Sequence, residues 1–334
     1  MILLLLPVPP DLVSPFCALE IALPVWFRWD VCLPYFTTVV LLPVGLTMAL
    51  RAAPTKATWF DRLILCGPVF IAMPMVMFGT EHFLDPSGVA SIIPAWIPAH
   101  LFWAYLVGTG LVLGGLSILL QKHAWLSAGL FGVMLLGFEV LMHIPRAIAA
   151  PGNEFAWRLA CRDLSFGWGA LAYAATYSES WRATGKHWVI TLARLFIGVI
   201  LLFGAVEYFL HPELLPGVPL RQRTPDFIPG HLLWGYLNSM VFAAGGLSLL
   251  LNRKTRLATG WVGLFVLLVT VFLCVPYMLP HWSDIGRGLN VPVDTLLMCG
   301  ALFCLAGSLP DPYAVAAESA ATTAAAGSVE QALR

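Results

Sequence analysis

Charge is scarce in this chain. Eighteen Lys and Arg with eighteen Asp and Glu make 11% of 334 residues charged, against 59% hydrophobic, and mean hydropathy is +0.84. That is too little charge to cover the surface of a soluble domain of this length, so the composition predicts a chain embedded in a bilayer. The formal net charge is zero, which offers no basic surface for nucleic acid. The expected partners are therefore lipid, membrane proteins and apolar molecules. Paired cysteine is missing too. Cys17, Cys32, Cys66, Cys161, Cys274, Cys299 and Cys304 form no CxxC pair and sit mostly in apolar runs, where cysteine behaves as a small hydrophobe. No GxGxxG or P-loop follows a strand, and there is no GxSxG, HExxH or CxxCH string. These absences remove support for nucleotide binding, acyl transfer and covalently attached haem.

Long apolar runs are what the chain has instead. Nine are long enough to cross roughly 30 Å of hydrocarbon: about 31 to 50, 63 to 83, 98 to 120, 124 to 145, 160 to 177, 189 to 210, 228 to 251, 256 to 277 and 291 to 309. Ahead of them, MILLLLPVPP lacks the basic n-region and small-residue cleavage site of a signal peptide. Residues 12 to 27, with Pro15, Glu20 and Pro24, read as an interfacial or re-entrant piece. The tail from Pro310, rich in Ala, Ser and Thr, reads as a mobile extension. Met48 is a possible alternative start, which leaves open whether residues 1 to 47 belong to the native protein.

The chain repeats itself. FGTEHFLDP at 78 to 86 returns as FGAVEYFLHP at 203 to 212, and PAWIPAHLFWAYL at 94 to 106 returns as TPDFIPGHLLWGYL from 224. Beyond that point an offset of 131 aligns Gly114-Gly115-Leu116-Ser117 with Gly245-Gly246-Leu247-Ser248, Pro145 with Pro276 and Asp163 with Asp294. The expected architecture is all-α: residues 1 to 56 hold the N-terminal segment and one transmembrane helix, and 57 to 181 and 182 to 309 hold four helices each. Residues 310 to 334 form the tail. Four spans per unit leave both copies facing the same way, so the repeats are expected to be parallel. Loops 51 to 62, 121 to 123, 178 to 194 and 252 to 256 hold ten basic residues, including all four lysines, against seven arginines on the other side. The positive-inside rule places the lysine side, and with it the C-terminus, in the cytoplasm.

Ionisable residues gather toward the opposite face. Glu81, His82, His100, Glu139, His143, Arg146, Arg162 and Asp163 are the pocket candidates, with Glu207, His231 and Asp294 as second-copy equivalents. Such residues are costly in lipid and should point inward toward partners. The copies differ, because His82, Glu139, His143 and Arg146 correspond to Tyr208, Thr270, Cys274 and Tyr277. Copy one is thus the ionisable copy, with atoms suited to a metal, a proton relay or a quinone head group. No spacing puts two ligands on one helix turn in a known metal motif, so no metal site is assigned, and His82, His100 and His143 stay weak candidates. The structural alternative is capping: His100 in the first turn behind Pro98 at N1, and Asp163 opening a helix where a carboxylate gains from the dipole.

The strings FGTEHFLDP, PAWIPAHLFWAYLVGTGLVLGGLSILL and HIPR resemble the DoxX-like family of bacterial four-helix membrane proteins, here twice over residues 60 to 309. That family takes its name from a subunit of thiosulfate:quinone oxidoreductase. The resemblance implies a four-helix bundle in the bacterial inner membrane and a link to quinone or thiol/sulfur redox chemistry. Any redox cofactor would be carried by a partner membrane or periplasmic protein, with quinone the possible ligand. The competing readings are a non-catalytic scaffold or anchor, and a small-solute transporter using the cleft between repeats.

Overall fold

The computed structural model describes residues 28–179, 187–218 and 221–310. The N-terminal piece, most of the 178 to 194 loop's centre and the tail after Pro310 lie outside the described residues. Every element of two or more residues within them is helical, and Leu214 and Arg223 form an isolated antiparallel bridge. The helices are α1 (Trp29–Arg51), α2 (Trp59–Leu65), α3 (Gly67–Leu84), α4 (Pro86–Ser91), α5 (His100–Leu119) and α6 (Ala124–Phe138). A π-helical stretch, π1 (Glu139–His143), leads into α7 (Ile144–Ala149) and then α8 (Glu154–Tyr177). Next come α9 (His187–Leu210), α10 (His231–Leu250) and α11 (Thr255–Val269). A second π stretch, π2 (Thr270–Cys274), leads into α12 (Val275–Met278), a short 3-10 turn and α13 (Asn290–Ser308).

Eight helical segments are long and apolar enough to span a bilayer: α1, Trp59–Leu84, α5, Ala124–Ala149, α9, α10, Thr255–His281 and α13. The chain is a polytopic membrane protein. The ninth expected span, 160 to 177, is part of α8, which starts earlier and has 24 residues. Length suffices there, but apolarity does not. Its first ten residues include Glu154, Arg158, Arg162 and Asp163, and both arginines pair with carboxylates on neighbouring helices.

Burial sorts the helices into an inner and an outer group. The spans of α3 and α13 are 78% and 89% buried, whereas those of α1 and α5 are 17% and 28% buried and turn Phe36, Val39, Phe102 and Leu113 outward. In a bilayer such apolar faces meet acyl chains. α8 packs on α6, α9 and α13, while α13 packs on α3, α8 and α11. α3 lies against α5, and α9 against α10. Small residues close the centre. A Cβ on Gly169 of α8 would lie 2.5 Å from Cα of Ala301 on α13, and one on Gly300 would lie 2.7 Å from the Phe70 carbonyl carbon. Backbones approach that closely only where a side chain is missing.

Local breaks fall at matching places. π1 and π2 each precede a proline at the second position of the next helix, Pro145 or Pro276. Proline lacks the N–H that would bond the carbonyl four residues back and its ring collides with that carbonyl, so the preceding turn widens. Ala99 and Gly230 cap α5 and α10 in the left-handed region, with φ of 56° and 67°. Pro98 therefore stands outside the helix rather than at N1, because the chain reverses hand at Ala99 before helical geometry begins.

Candidate functional site

The ionisable residues separate into a buried cluster centred on α8 and a set of local contacts near helix ends. Glu154, Arg158 and Arg162 recur every four residues along one face of α8. Arg158, 7% exposed, donates from Nε to Glu207 of α9 at 2.6 Å and from Nη2 to Glu154 at 2.8 Å. One turn on, Arg162 donates from Nε to Asp163 at 2.7 Å and from Nη1 to Asp294 of α13 at 2.9 Å. Two arginines thus tie α8 to α9 and to α13. Asp163 is the tenth residue of its helix and is 6% exposed, so it does not cap an N-terminus. The dipole explanation fails because α8 begins nine residues earlier, after the Pro151-Gly152-Asn153 turn.

π1 faces this cluster from α6. His143 Nε2 lies 3.2 Å from Asp163 Oδ2, and Glu139, His143 and Asp163 each offer a ligand atom within 4.8 Å of the others. Glu139 is 1% exposed and both its carboxylate oxygens lack a hydrogen-bond partner. A buried carboxyl in that condition is costly in a membrane interior. At the matched positions on π2, Thr270 bonds back to the Val266 carbonyl at 2.8 Å and Cys274 Sγ lies 3.6 Å from Thr295 Oγ1. These two positions of copy two therefore carry no charge to satisfy.

The other candidates lie apart. Glu81 is half-buried near Asn290 and Asp294, at the margin of the cluster. His82 turns its Nδ1 to the Phe78 carbonyl at 2.8 Å, and His100 turns its Nε2 to the Pro94 carbonyl at 3.2 Å. His231 is partly exposed at the start of α10, and Arg146 is exposed. Nearby backbone carbonyls thus take up the imidazoles of His82 and His100 locally. Sequence reasoning missed the Arg158–Glu207 pair, although the four-residue spacing of charges in α8 was the available signal.

The larger of the two principal cavities lies at the opposite, lysine-bearing end. It has a volume of about 760 Å³, and Lys56, His123, Trp125, Tyr173, Tyr177 and Arg256 are among its lining residues. The Tyr173 and Tyr177 rings lie 4.6 Å apart, and Arg256 donates from Nη2 to Asp61 at 2.7 Å beside them. Of the pocket candidates, Arg162 lines the smaller of these two cavities, beside Cys161 and Ser165. Near the other face the candidates Arg162, Asp163 and Asp294 form a packed ionic cluster. No family model, curated protein or solved structure matches the chain.

Proposed function

We propose that this chain is a bacterial inner-membrane subunit of a quinone-linked redox system, built from two tandem DoxX-like four-helix units behind α1. Support for the duplication comes from the 131-residue offset of π1 and π2, of Pro145 and Pro276, and of the left-handed Ala99 and Gly230. The lysine side, with the C-terminus, faces the cytoplasm, and the redox cofactor sits on a membrane-associated partner.

The cavity carries the quinone reading. At about 760 Å³ it falls within the range of small-molecule sites, and it combines ring faces from Trp125, Tyr173 and Tyr177 with donors from Lys56, His123 and Arg256. A quinone head group needs that combination of a flat apolar slot and donors for its carbonyl oxygens. The thiol branch has less support, since Cys66, Cys274, Cys299 and Cys304 are free and buried. A thermal-unfolding titration of the full chain in nanodiscs with decylubiquinone tests the proposal. A saturable rise in Tm is expected, lost in Tyr177→Ala, whose side chain is half exposed and whose own unfolding should stay near wild type. No saturable rise in the wild type would refute it.

One observation favours a scaffold reading of the carboxylates in the second copy. Glu207 and Asp294 are both held by arginines of α8, so these groups fasten helices together. The transporter reading has no comparable support, because Gly169 on Ala301 closes the contact between α8 and α13.

A further inference from the structure

Glu139 is the group that neither helix fastening nor the cavity explains. It is 1% exposed, both its oxygens are buried without a partner, and it sits across from His143 and Asp163. Arg162 serves Asp163 and Asp294 but makes no hydrogen bond to Glu139, so the Glu139 oxygens face His143 and Asp163 with no donor of their own. Charge buried at this depth is normally paired or metal-bound.

We infer that Glu139, His143 and Asp163 form a divalent transition-metal site inside the first four-helix unit. The donor set, one imidazole nitrogen with carboxylate oxygens, suits zinc, manganese or ferrous iron and disfavours magnesium and calcium, which take all-oxygen shells. Geometry is close to what such an ion needs. Metal–ligand bonds of about 2.0 to 2.2 Å place neighbouring donors roughly 3.3 to 3.6 Å apart in a tetrahedron. His143 Nε2 and Asp163 Oδ2 already stand 3.2 Å apart, and the widest separation in the trio is within 4.8 Å. The orientation of Asp163 is fixed from behind, because Arg162 Nε holds Oδ1 at 2.7 Å and leaves Oδ2 toward His143. π1 contributes two ligands from one widened turn, a form of helix often found at functional sites. Three protein ligands leave a position for water or an exchangeable ligand. The second unit, with Thr270 and Cys274 in place of Glu139 and His143, lacks the set, so the expected stoichiometry is one ion per chain.

The site stands independently of the quinone proposal. Its test uses the full chain, purified without a polyhistidine tag, stripped with chelator and titrated with zinc or manganese chloride alone. Elemental analysis after desalting should give one ion per wild-type chain. Glu139→Gln should weaken binding at least about tenfold while unfolding, in chelator, at or above the wild-type temperature. Thr270→Ala should bind as wild type does. Substoichiometric metal in the wild type, or one-to-one binding that survives both Glu139→Gln and His143→Gln, would overturn the assignment.

Discussion

Removing Arg162 gives the sharpest energetic test of the cluster. Its guanidinium spans Asp163 and Asp294, whose side chains are each 8% exposed, while its own is 19% exposed. Arg162→Met deletes one cation and leaves two carboxylates facing each other across the α8–α13 contact. Breaking a buried pair from one side costs about 3 to 5 kcal/mol, because the remaining charge stays buried without compensation. Asp294→Leu is milder, since Arg162 keeps Asp163, and should cost about 1 to 3 kcal/mol. In the double variant Asp163 alone is left, with His143 at 3.2 Å still beside it. The combined loss should fall short of the sum by at least about 1.5 kcal/mol, the behaviour of groups sharing one network. Denaturant unfolding of the full chain in mild detergent with chelator present, followed by tryptophan emission, measures all three. Additivity within about 0.5 kcal/mol would show that Arg162 and Asp294 do not act on each other.

Two further substitutions test the packing and the helix entry. Gly169→Val should lower thermal stability sharply, because the new Cβ meets Ala301 Cα at 2.5 Å and backbone cannot yield as a side-chain tip can. A wild-type Tm in that variant would contradict the close α8–α13 approach. At the left-handed caps, Ala99→Gly should stabilise and Gly230→Ala should destabilise, each by about 1 kcal/mol. Space is not the issue at Gly230, whose nearest contact to a new Cβ is 3.6 Å, so a null result there would remove the strain argument.

The membrane-spanning character was legible because hydrocarbon demands long uncharged runs, and α1, α5, α9, α10 and α13 show them plainly. α8 was harder to read. Its apolar second half suggested a span from 160, whereas the helix begins at Glu154, and the charges in its first turns are neutralised by Glu207 and Asp294 far away in sequence. Tertiary pairing of that kind has no local signature beyond the four-residue rhythm of Glu154, Arg158 and Arg162. At the cluster, Glu139 and His143 lie beside Asp163, whereas their counterparts Thr270 and Cys274 lie among uncharged partners, a contrast already present in the sequence. Which imidazole joins the cluster was not legible. His82 and His100 have the same chemistry as His143, but nearby carbonyls take them up, and only π1 turns its imidazole toward Asp163. The cavity escaped sequence reading altogether, because Ala49 of α1, Tyr173 of α8 and Arg256 of α11 converge on it only in three dimensions.

X-ray absorption at the zinc edge of the zinc-loaded chain reads the ligand shell directly. A first shell of one imidazole nitrogen and carboxylate oxygens at about 2.0 to 2.2 Å, with the imidazole scattering lost in His143→Gln, is the expected result. Sulfur at about 2.3 Å, or imidazole scattering unchanged in that variant, would contradict a site built from Glu139, His143 and Asp163.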